Sequence, residues 1–298
     1  MTTLAFAKLN LTFEVVGKRS DGYHEVRSVM QSVDFGDTVS IVPAAYIDAP
    51  NSTEMHCITT GGGVRLPWGT KNSAVKAYNL FRDTFGLPAE QLDININKVI
   101  PICGGLGGSS TDGSAVLRLL NGYCGTGLST AELQTLAAKL DSDAAFCISG
   151  GTALATGRGE LLEALPPLPD CGIVIVKPNT LTGLVTTNMF AAFDRVKLRM
   201  KPDHCGLTAA LKAGDTAGIA RRLYNVFVEV LPRSYKEEIS DAIGALLNVN
   251  ALGASMTGSG SCVFGLFETT RKADSAAEEL RADGFECWSV AALLTTSR

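Results

Sequence analysis

Charge is scarce in this chain and is not segregated by sign. Only 19% of its 298 residues are Asp, Glu, Lys or Arg, and the formal net charge is -4. No basic field is available for a polyphosphate backbone, so nucleic acid is not expected as a main partner. Eight cysteines stand at 57, 103, 124, 147, 171, 205, 262 and 287 without a C-x-x-C pair, which excludes zinc ribbons and dithiol redox motifs. Several lie in apolar runs such as Phe146-Cys147-Ile148 and Ser261-Cys262-Val263-Phe264, where reduced, buried thiols are expected. No window reaches ~18 uncharged apolar residues. The opening Met1-Thr2-Thr3-Leu4-Ala5-Phe6-Ala7-Lys8 lacks the basic segment and apolar run of a secretion signal, so a cytoplasmic protein away from membranes is expected. Also missing are G-x-x-x-x-G-K-[ST], G-x-G-x-x-G and G-x-S-x-G, the signatures of Walker loops, dinucleotide folds and nucleophile elbows.

What is present is a hydrophobic share of 46% in a chain about twice the usual ~150 residues of one domain, so two domains are expected. Residues 4 to 16 and 24 to 42 read as strands, the second around a turn at Phe35-Gly36-Asp37. Asn72-Ser73 caps a helix that stops at Gly86 and Pro88, and Leu92, Ile94 and Ile96 alternate as a half-buried strand should. Ser109 or Ser110 is expected to cap the next helix, and Ser129-Thr130-Ala131-Glu132 is a capping box for another. The composition changes at Gly157-Arg158-Gly159 and Pro166-Pro167-Leu168-Pro169, which divides the chain into 1–157 and 158–298. The second part, its extra helices set aside, reads β-α-β-β-α-β, the ferredoxin-like order. Residues 43 to 71 form the one long loop candidate.

The strand at 92–96 runs into Pro101-Ile102-Cys103-Gly104-Gly105-Leu106-Gly107-Gly108-Ser109-Ser110-Thr111 and then opens a helix. That arrangement presents backbone N–H groups at the positive end of a helix dipole, where a phosphate fits. Glycines permit the close approach and the positive φ that a concave nest needs. A flexible loop or a close strand–helix contact is the plainer alternative, but hydroxyls directly at the helix start favour anion binding. A second small-residue loop, Ala254 to Ser261, sits between the last two hairpin strands. Ala7-Lys8-Leu9-Asn10-Leu11 places a lysine and an asparagine on one face of an apolar strand, and a buried lysine calls for a carboxylate or phosphate nearby.

These segments together resemble the GHMP superfamily of small-molecule kinases, named for galactose, homoserine, mevalonate and phosphomevalonate. Gly17-Lys18-Arg19-Ser20-Asp21-Gly22-Tyr23-His24-Glu25, Phe35-Gly36-Asp37, Leu140-Asp141-Ser142-Asp143-Ala144-Ala145-Phe146, Gly157-Arg158-Gly159-Glu160 and Asn225-Val226-Phe227 are most similar to the branch acting on a cytidine-diphosphate-linked methylerythritol in non-mevalonate isoprenoid synthesis. The resemblance implies an α+β, two-domain fold: an N-terminal ATP-binding domain like domain 2 of ribosomal protein S5, and a ferredoxin-like C-terminal domain. It implies transfer of the γ-phosphoryl of ATP, with Mg²⁺, to a hydroxyl of that substrate by a monomer or homodimer. Lys8 and Asp143 match the catalytic pair. Asn10, Tyr23, His24, Thr186 and Phe190 match substrate-binding positions, Tyr23 and Phe190 by stacking on cytosine and His24 by hydrogen bonding. Residues 101 to 111 match the ATP loop, with Ser110 as the metal ligand.

Departures from the family pattern keep alternatives open. Cys103 and Thr111 replace glycine and serine, Asp112 stands where asparagine is common, and Asp141 and Ala145 replace glycine and proline. Asp141 is therefore a rival base, and Asp112 either assists a magnesium ion or interacts with the helix dipole. The rival functions are another GHMP kinase, of homoserine or mevalonate type, and a non-catalytic nucleotide-binding protein.

Overall fold

The structure, a computed structural model, describes residues 1–43, 57–60, 69–86, 92–178, 186–196 and 200–296. Most of the 43 to 71 loop candidate lies outside these residues. Along the chain run β1 (Thr2–Lys18), β2 (His24–Pro43), β3 (Cys57–Thr60), α1 (Ser73–Phe85), β4 (Leu92–Asn97), α2 (Gly108–Tyr123), α3 (Thr130–Ala137), α4 (Ala144–Ser149), β5 (Thr152–Thr156) and β6 (Leu161–Ala164). Then follow β7 (Gly172–Lys177), α5 (Thr186–Phe193), α6 (His204–Ala213), α7 (Thr216–Ala220), β8 (Tyr224–Asn225), α8 (Arg233–Asn248), β9 (Gly253–Met256), β10 (Val263–Phe267), α9 (Thr270–Ala282) and β11 (Glu286–Val290).

The first sheet has the order β3-β4-β2-β1-β8, with β5 on the remaining length of β2 and β6 beyond it. The second has the order β11-β7-β10-β9, all antiparallel. That is the ferredoxin-like arrangement expected from β-α-β-β-α-β, with α8 as its first helix and α5 to α7 and the short β8 inserted between its first strand and that helix. Because β6 pairs with β5, the first sheet's consecutive strands run on to Ala164, beyond the compositional break at 157, and β8 adds one more from the second part. No helix among the described residues is long and apolar enough to cross a membrane.

Local chemistry accounts for most elements. Asn72 caps α1 by accepting from the Ala74 N–H, and Gly86 closes it in the left-handed region at φ 59. Ser129 and Glu132 complete the capping box of α3. Two expectations fail. Phe35-Gly36-Asp37 is no turn but lies within β2, where β1 shifts register between Phe6 and Lys8. A side chain on Gly36 would come within 2.7 Å of the Ala5 carbonyl oxygen, so glycine serves a tight strand pairing there. Nor does a serine cap α2: its N-cap is Gly107 at φ 72, with no side-chain hydrogen bond. The hydroxyls of Ser109 and Ser110 are thereby left free of that duty.

Of the four apolar clusters among the described residues, the three largest hold the layers. Phe81 of α1, Ile94 and Ile96 of β4 and Leu117 and Leu120 of α2 fill one side of the first sheet. Ile239 and Leu246 of α8 and Leu280 of α9 pack with Val174, Val176 and Phe267 on the second. Leu9, Leu11 and Val29 of the first sheet meet Ile173, Ile175 and Phe264 of the second with Leu207 and Ile219, so the two sheets are clamped by a shared core. After β11 the chain returns to the first sheet, with Leu293 N–H on the Ser32 carbonyl at 2.9 Å and Thr296 N–H on Ser149 at 3.0 Å.

Candidate active site

The glycine loop is gripped from two sides. Lys8 of β1 donates its backbone N–H to the Leu106 carbonyl at 3.0 Å. From the β9–β10 turn, Ser261 and Cys262 donate to the Cys103 and Gly104 carbonyls at 3.3 and 3.1 Å. Gly105 has φ 76, and a Cβ there would lie 2.1 Å from the Thr257 oxygen, so the two small-residue loops interlock backbone to backbone. Thr111 makes the first helical bond, to Gly107 at 2.9 Å. The N–H groups of Gly108, Ser109 and Ser110 precede it and have no intrahelical acceptor.

The loop borders a cavity of about 980 Å³. Lys8, Asn10, Tyr23, His24, Asp143, Thr186 and Phe190 line it, as does the loop from Pro101 to Ser110. Thr111 does not. Its hydroxyl donates to the Phe6 carbonyl at 2.8 Å in a fully buried position, so it anchors α2 to β1 and is not offered to a ligand.

Lys8 is 3% exposed, with its ammonium 3.1 Å from Asp143 Oδ2 and 2.7 Å from Asn10 Oδ1. Gly107 leaves room for its stem, since a Cβ there would lie 2.9 Å from Lys8 Cγ. Asn10 is fixed in turn, donating to Ser28 Oγ at 2.8 Å and receiving the Thr257 hydroxyl at 3.3 Å. The neighbouring aspartates differ in what they touch. Asp141 Oδ1 accepts from the N–H groups of Asp143 and Ala144 at 3.1 and 3.0 Å, turning the chain into α4. Burial, then the charge of Asp143, raises the pKa of Asp141, while the Ser110 hydroxyl acts the other way. Asp143, the N-cap residue, makes no capping bond with its side chain, and its carboxylate is directed at Lys8.

A buried charge cluster was not foreseen. Lys98 pairs with both Asp37 and Asp112, 2.9 Å from Asp112 Oδ2. Asp37 also accepts from the N–H groups of Val99 and Ile100 at 2.5 and 2.8 Å, fixing the path from β4 into the loop. Asp112 is 3% exposed and its Oδ1 has no hydrogen-bond partner among the described residues. Burial pushes its carboxyl up to about 7 against the pull of Lys98. Asp112 thus engages a lysine, which neither sequence alternative included. Asp112 and Ser110 both line the cavity, and their side chains carry hard oxygen donors of the kind magnesium takes when it rides on nucleotide phosphates.

Part of the cavity wall is aromatic. His24 stacks on Phe190 with ring centres 4.7 Å apart and planes 17° apart. Phe190 meets Phe227 edge-on at 5.1 Å, and Phe227 meets Phe13 at 4.9 Å. Tyr23 is exposed, with the Arg158 guanidinium 4.9 Å above its ring. Thr186 Oγ lies 3.1 Å from Ser259 Oγ, tying the start of α5 to the β9–β10 turn.

Comparison with known proteins fits this geometry. The model of the GHMP kinases N terminal domain matches residues 72–151 and that of the GHMP kinases C terminal domain matches 207–286. A 4-diphosphocytidyl-2-C-methyl-D-erythritol kinase from Pelotomaculum thermopropionicum is 41% identical over 94% of both chains. The chain belongs to the 4-diphosphocytidyl-2-C-methyl-D-erythritol kinase family of GHMP kinases. A solved 4-(cytidine 5'-diphospho)-2C-methyl-D-erythritol kinase superposes with a TM-score of 0.76 and 29% identity, over 98% of this GHMP kinase and 99% of that chain. Homoserine kinase from Cytophaga hutchinsonii superposes with a TM-score of 0.74, over 99% of this chain and 95% of its own, but at 21% identity it shares the fold alone. As a GHMP kinase the protein uses ATP as co-substrate.

Proposed function

We propose that this GHMP kinase transfers the γ-phosphoryl group of ATP to a hydroxyl of 4-diphosphocytidyl-2-C-methyl-D-erythritol, with Asp143 as general base. One observation carries the reading. The Lys8–Asp143 ion pair, the amide-bearing glycine loop and the aromatic residues His24 and Phe190 line a single cavity. The first-turn amides of α2 and the loop from Pro101 to Ser110 bind the terminal phosphates. Tyr23, His24 and Phe190 hold the cytosine, while Asn10 and Thr186 face the rest of the substrate. Asp143 takes the hydroxyl proton, the freed oxygen bonds to the γ-phosphorus, and the β–γ bridging oxygen leaves with its electron pair as part of ADP. Lys8, oriented by Asn10, keeps the carboxylate in place and faces the charge that develops. Ser110, with Asp112 beside it, would hold Mg²⁺, which when bound neutralises the phosphate oxygens. A cytoplasmic monomer or homodimer goes with this reading, because both substrates are nucleotides made in that compartment.

The test compares ADP release with the cytidine-linked substrate, homoserine and mevalonate. Turnover is expected with the first alone. Asp143→Asn should lower kcat by at least ~10²-fold, the usual contribution of a positioned base. Its ATP affinity should stay within about threefold, since among the described residues no hydrogen bond or ion pair joins the Asp143 side chain to the phosphate loop. Full activity in that variant ends the assignment of the base.

A further inference from the structure

The aromatic wall contains a carboxylate that the reading above leaves without a role. Asp194 follows α5 directly, and its N–H bonds to the Phe190 carbonyl at 3.1 Å. That last turn therefore carries an aromatic ring and a carboxylate to the same imidazole. Asp194 Oδ1 lies 2.8 Å from His24 Nε2, and Oδ2 lies 3.2 Å from Lys18 Nζ. The His24 side chain is 9% exposed, so its ring is held by stacking on one side and by the carboxylate at one edge.

An ionised carboxylate only accepts hydrogen bonds, so its partner nitrogen must carry the proton. The bond from His24, foremost, holds Asp194 below its ordinary carboxylate range, which keeps it in that acceptor form. With Nε2 protonated, Nδ1 of the neutral ring is a bare lone pair pointing away from Asp194. Among the described residues no hydrogen bond reaches that nitrogen. The lone pair lies in the imidazole plane, which is nearly parallel to Phe190. A ligand ring bonded to Nδ1 in that plane would itself lie nearly parallel to the Phe190 ring, so the hydrogen bond fixes the orientation that aromatic contacts in this wall favour. A lone pair there accepts from an exocyclic amino group and repels an exocyclic carbonyl.

Resting on the proposed cytidine-linked substrate, we infer that Asp194 is a positioning residue for base selection. It fixes His24 in the Nε2–H form, and the pocket thereby prefers an amino-bearing pyrimidine to an oxo-bearing one. Long-range ¹H–¹⁵N spectra of the full-length protein test the tautomer without turnover. Wild type should show Nε2 protonated and Nδ1 bare, and Asp194→Asn, whose amide offers both a donor and an acceptor, should show both forms. In kinetics, kcat/KM for the cytidine-linked substrate is compared with that for its uridine-linked analogue. The preference should narrow by about tenfold in Asp194→Asn, the loss of roughly one hydrogen bond's discrimination. The change should fall on KM with kcat within about twofold, and Asp194→Glu should restore part of the preference. A wild-type spectrum with Nδ1 protonated overturns the inference, and so does an undiminished preference in an Asp194→Asn protein that melts like wild type. Wild type inactive on the cytidine-linked substrate instead overturns the functional reading beneath it.

Discussion

Adding a single methyl group where the two loops interlock should disable the protein far more than adding one at an equally unusual glycine elsewhere. Gly105 and Gly125 both have positive φ, 76 and 62. Nothing lies within 4 Å of a Cβ on Gly125, whereas one on Gly105 would lie 2.1 Å from the Thr257 oxygen and 3.1 Å from Gly260 N. Left-handed backbone alone costs an alanine ~1–2 kcal/mol, and that is all Gly125→Ala should lose. At Gly105 the loops must also part by more than ~1 Å to reach ordinary carbon–oxygen contact. The Thr257 carbonyl cannot retreat freely. Its residue donates N–H to Cys262 at 3.1 Å, and Asn225 holds the flanking Met256 and Gly258 carbonyls at 3.1 and 2.7 Å. Parting the loops instead strains the bonds from Ser261 and Cys262 to Cys103 and Gly104, each worth ~1 kcal/mol. Gly105→Ala should therefore lose ~3–4 kcal/mol in denaturant unfolding, by addition of these terms. With the phosphate loop displaced by that distance, kcat/KM for ATP should fall by up to ~10²-fold. Equal denaturant midpoints for the two alanine variants, with equal KM for ATP, would refute the interlock.

Two further substitutions probe the same region. Cys103 occupies left-handed space at φ 57, a conformation costing a side chain ~1–2 kcal/mol, while glycine gives back ~0.5–1 kcal/mol through its freer unfolded chain. Cys103→Gly should thus gain up to ~1.5 kcal/mol in denaturant unfolding, and a loss of stability would show that the thiol makes a compensating contact. Asp112, raised from 3.8 to about 7, binds more protons folded than unfolded between those values, so its ionisation erodes stability as pH rises through that window. Asp112→Asn, assayed free of divalent metal, should melt relatively higher at pH 8 than at pH 4 by at least ~1–2 °C, the shift of ~1 kcal/mol in a protein of this size. A pH-independent difference would show that the buried carboxyl does not titrate there.

Much of the fold was legible because its signals are local. The Asn72 cap, the Ser129–Glu132 box, the alternation through Leu92, Ile94 and Ile96, and the hairpin at Gly258-Ser259-Gly260 each depend on a few neighbouring residues. The errors fall where one local signal has two tertiary outcomes. A glycine between an aromatic and an aspartate reads as a turn, yet Gly36 is needed because β1 presses against it. Serines after glycines read as caps, yet Gly107 takes that position because only it accepts φ 72 beside the stem of Lys8.

In the site, resemblance named residues that the fold brings to one cavity but left their division of labour open, and contacts between distant positions distinguish them. Asp141 and Asp143 are equivalent by composition and differ only once the chain turns through Ser142, which presents one carboxylate to two amides and the other to Lys8. Thr111 resembles its hydroxyl-bearing neighbours until helical rotation aims it at Phe6, away from the cavity. Lys98 shares no motif with Asp37 or Asp112, 61 and 14 residues away, so no periodicity could have joined them. The same holds for His24 and Asp194, 170 residues apart. Each element here can be read from its own segment, whereas the protonation state of a group in the cavity is set by a partner from another part of the chain. Substituting such partners, which leave the motifs untouched, therefore tests the chemistry of this site more sharply than substituting the motif residues themselves.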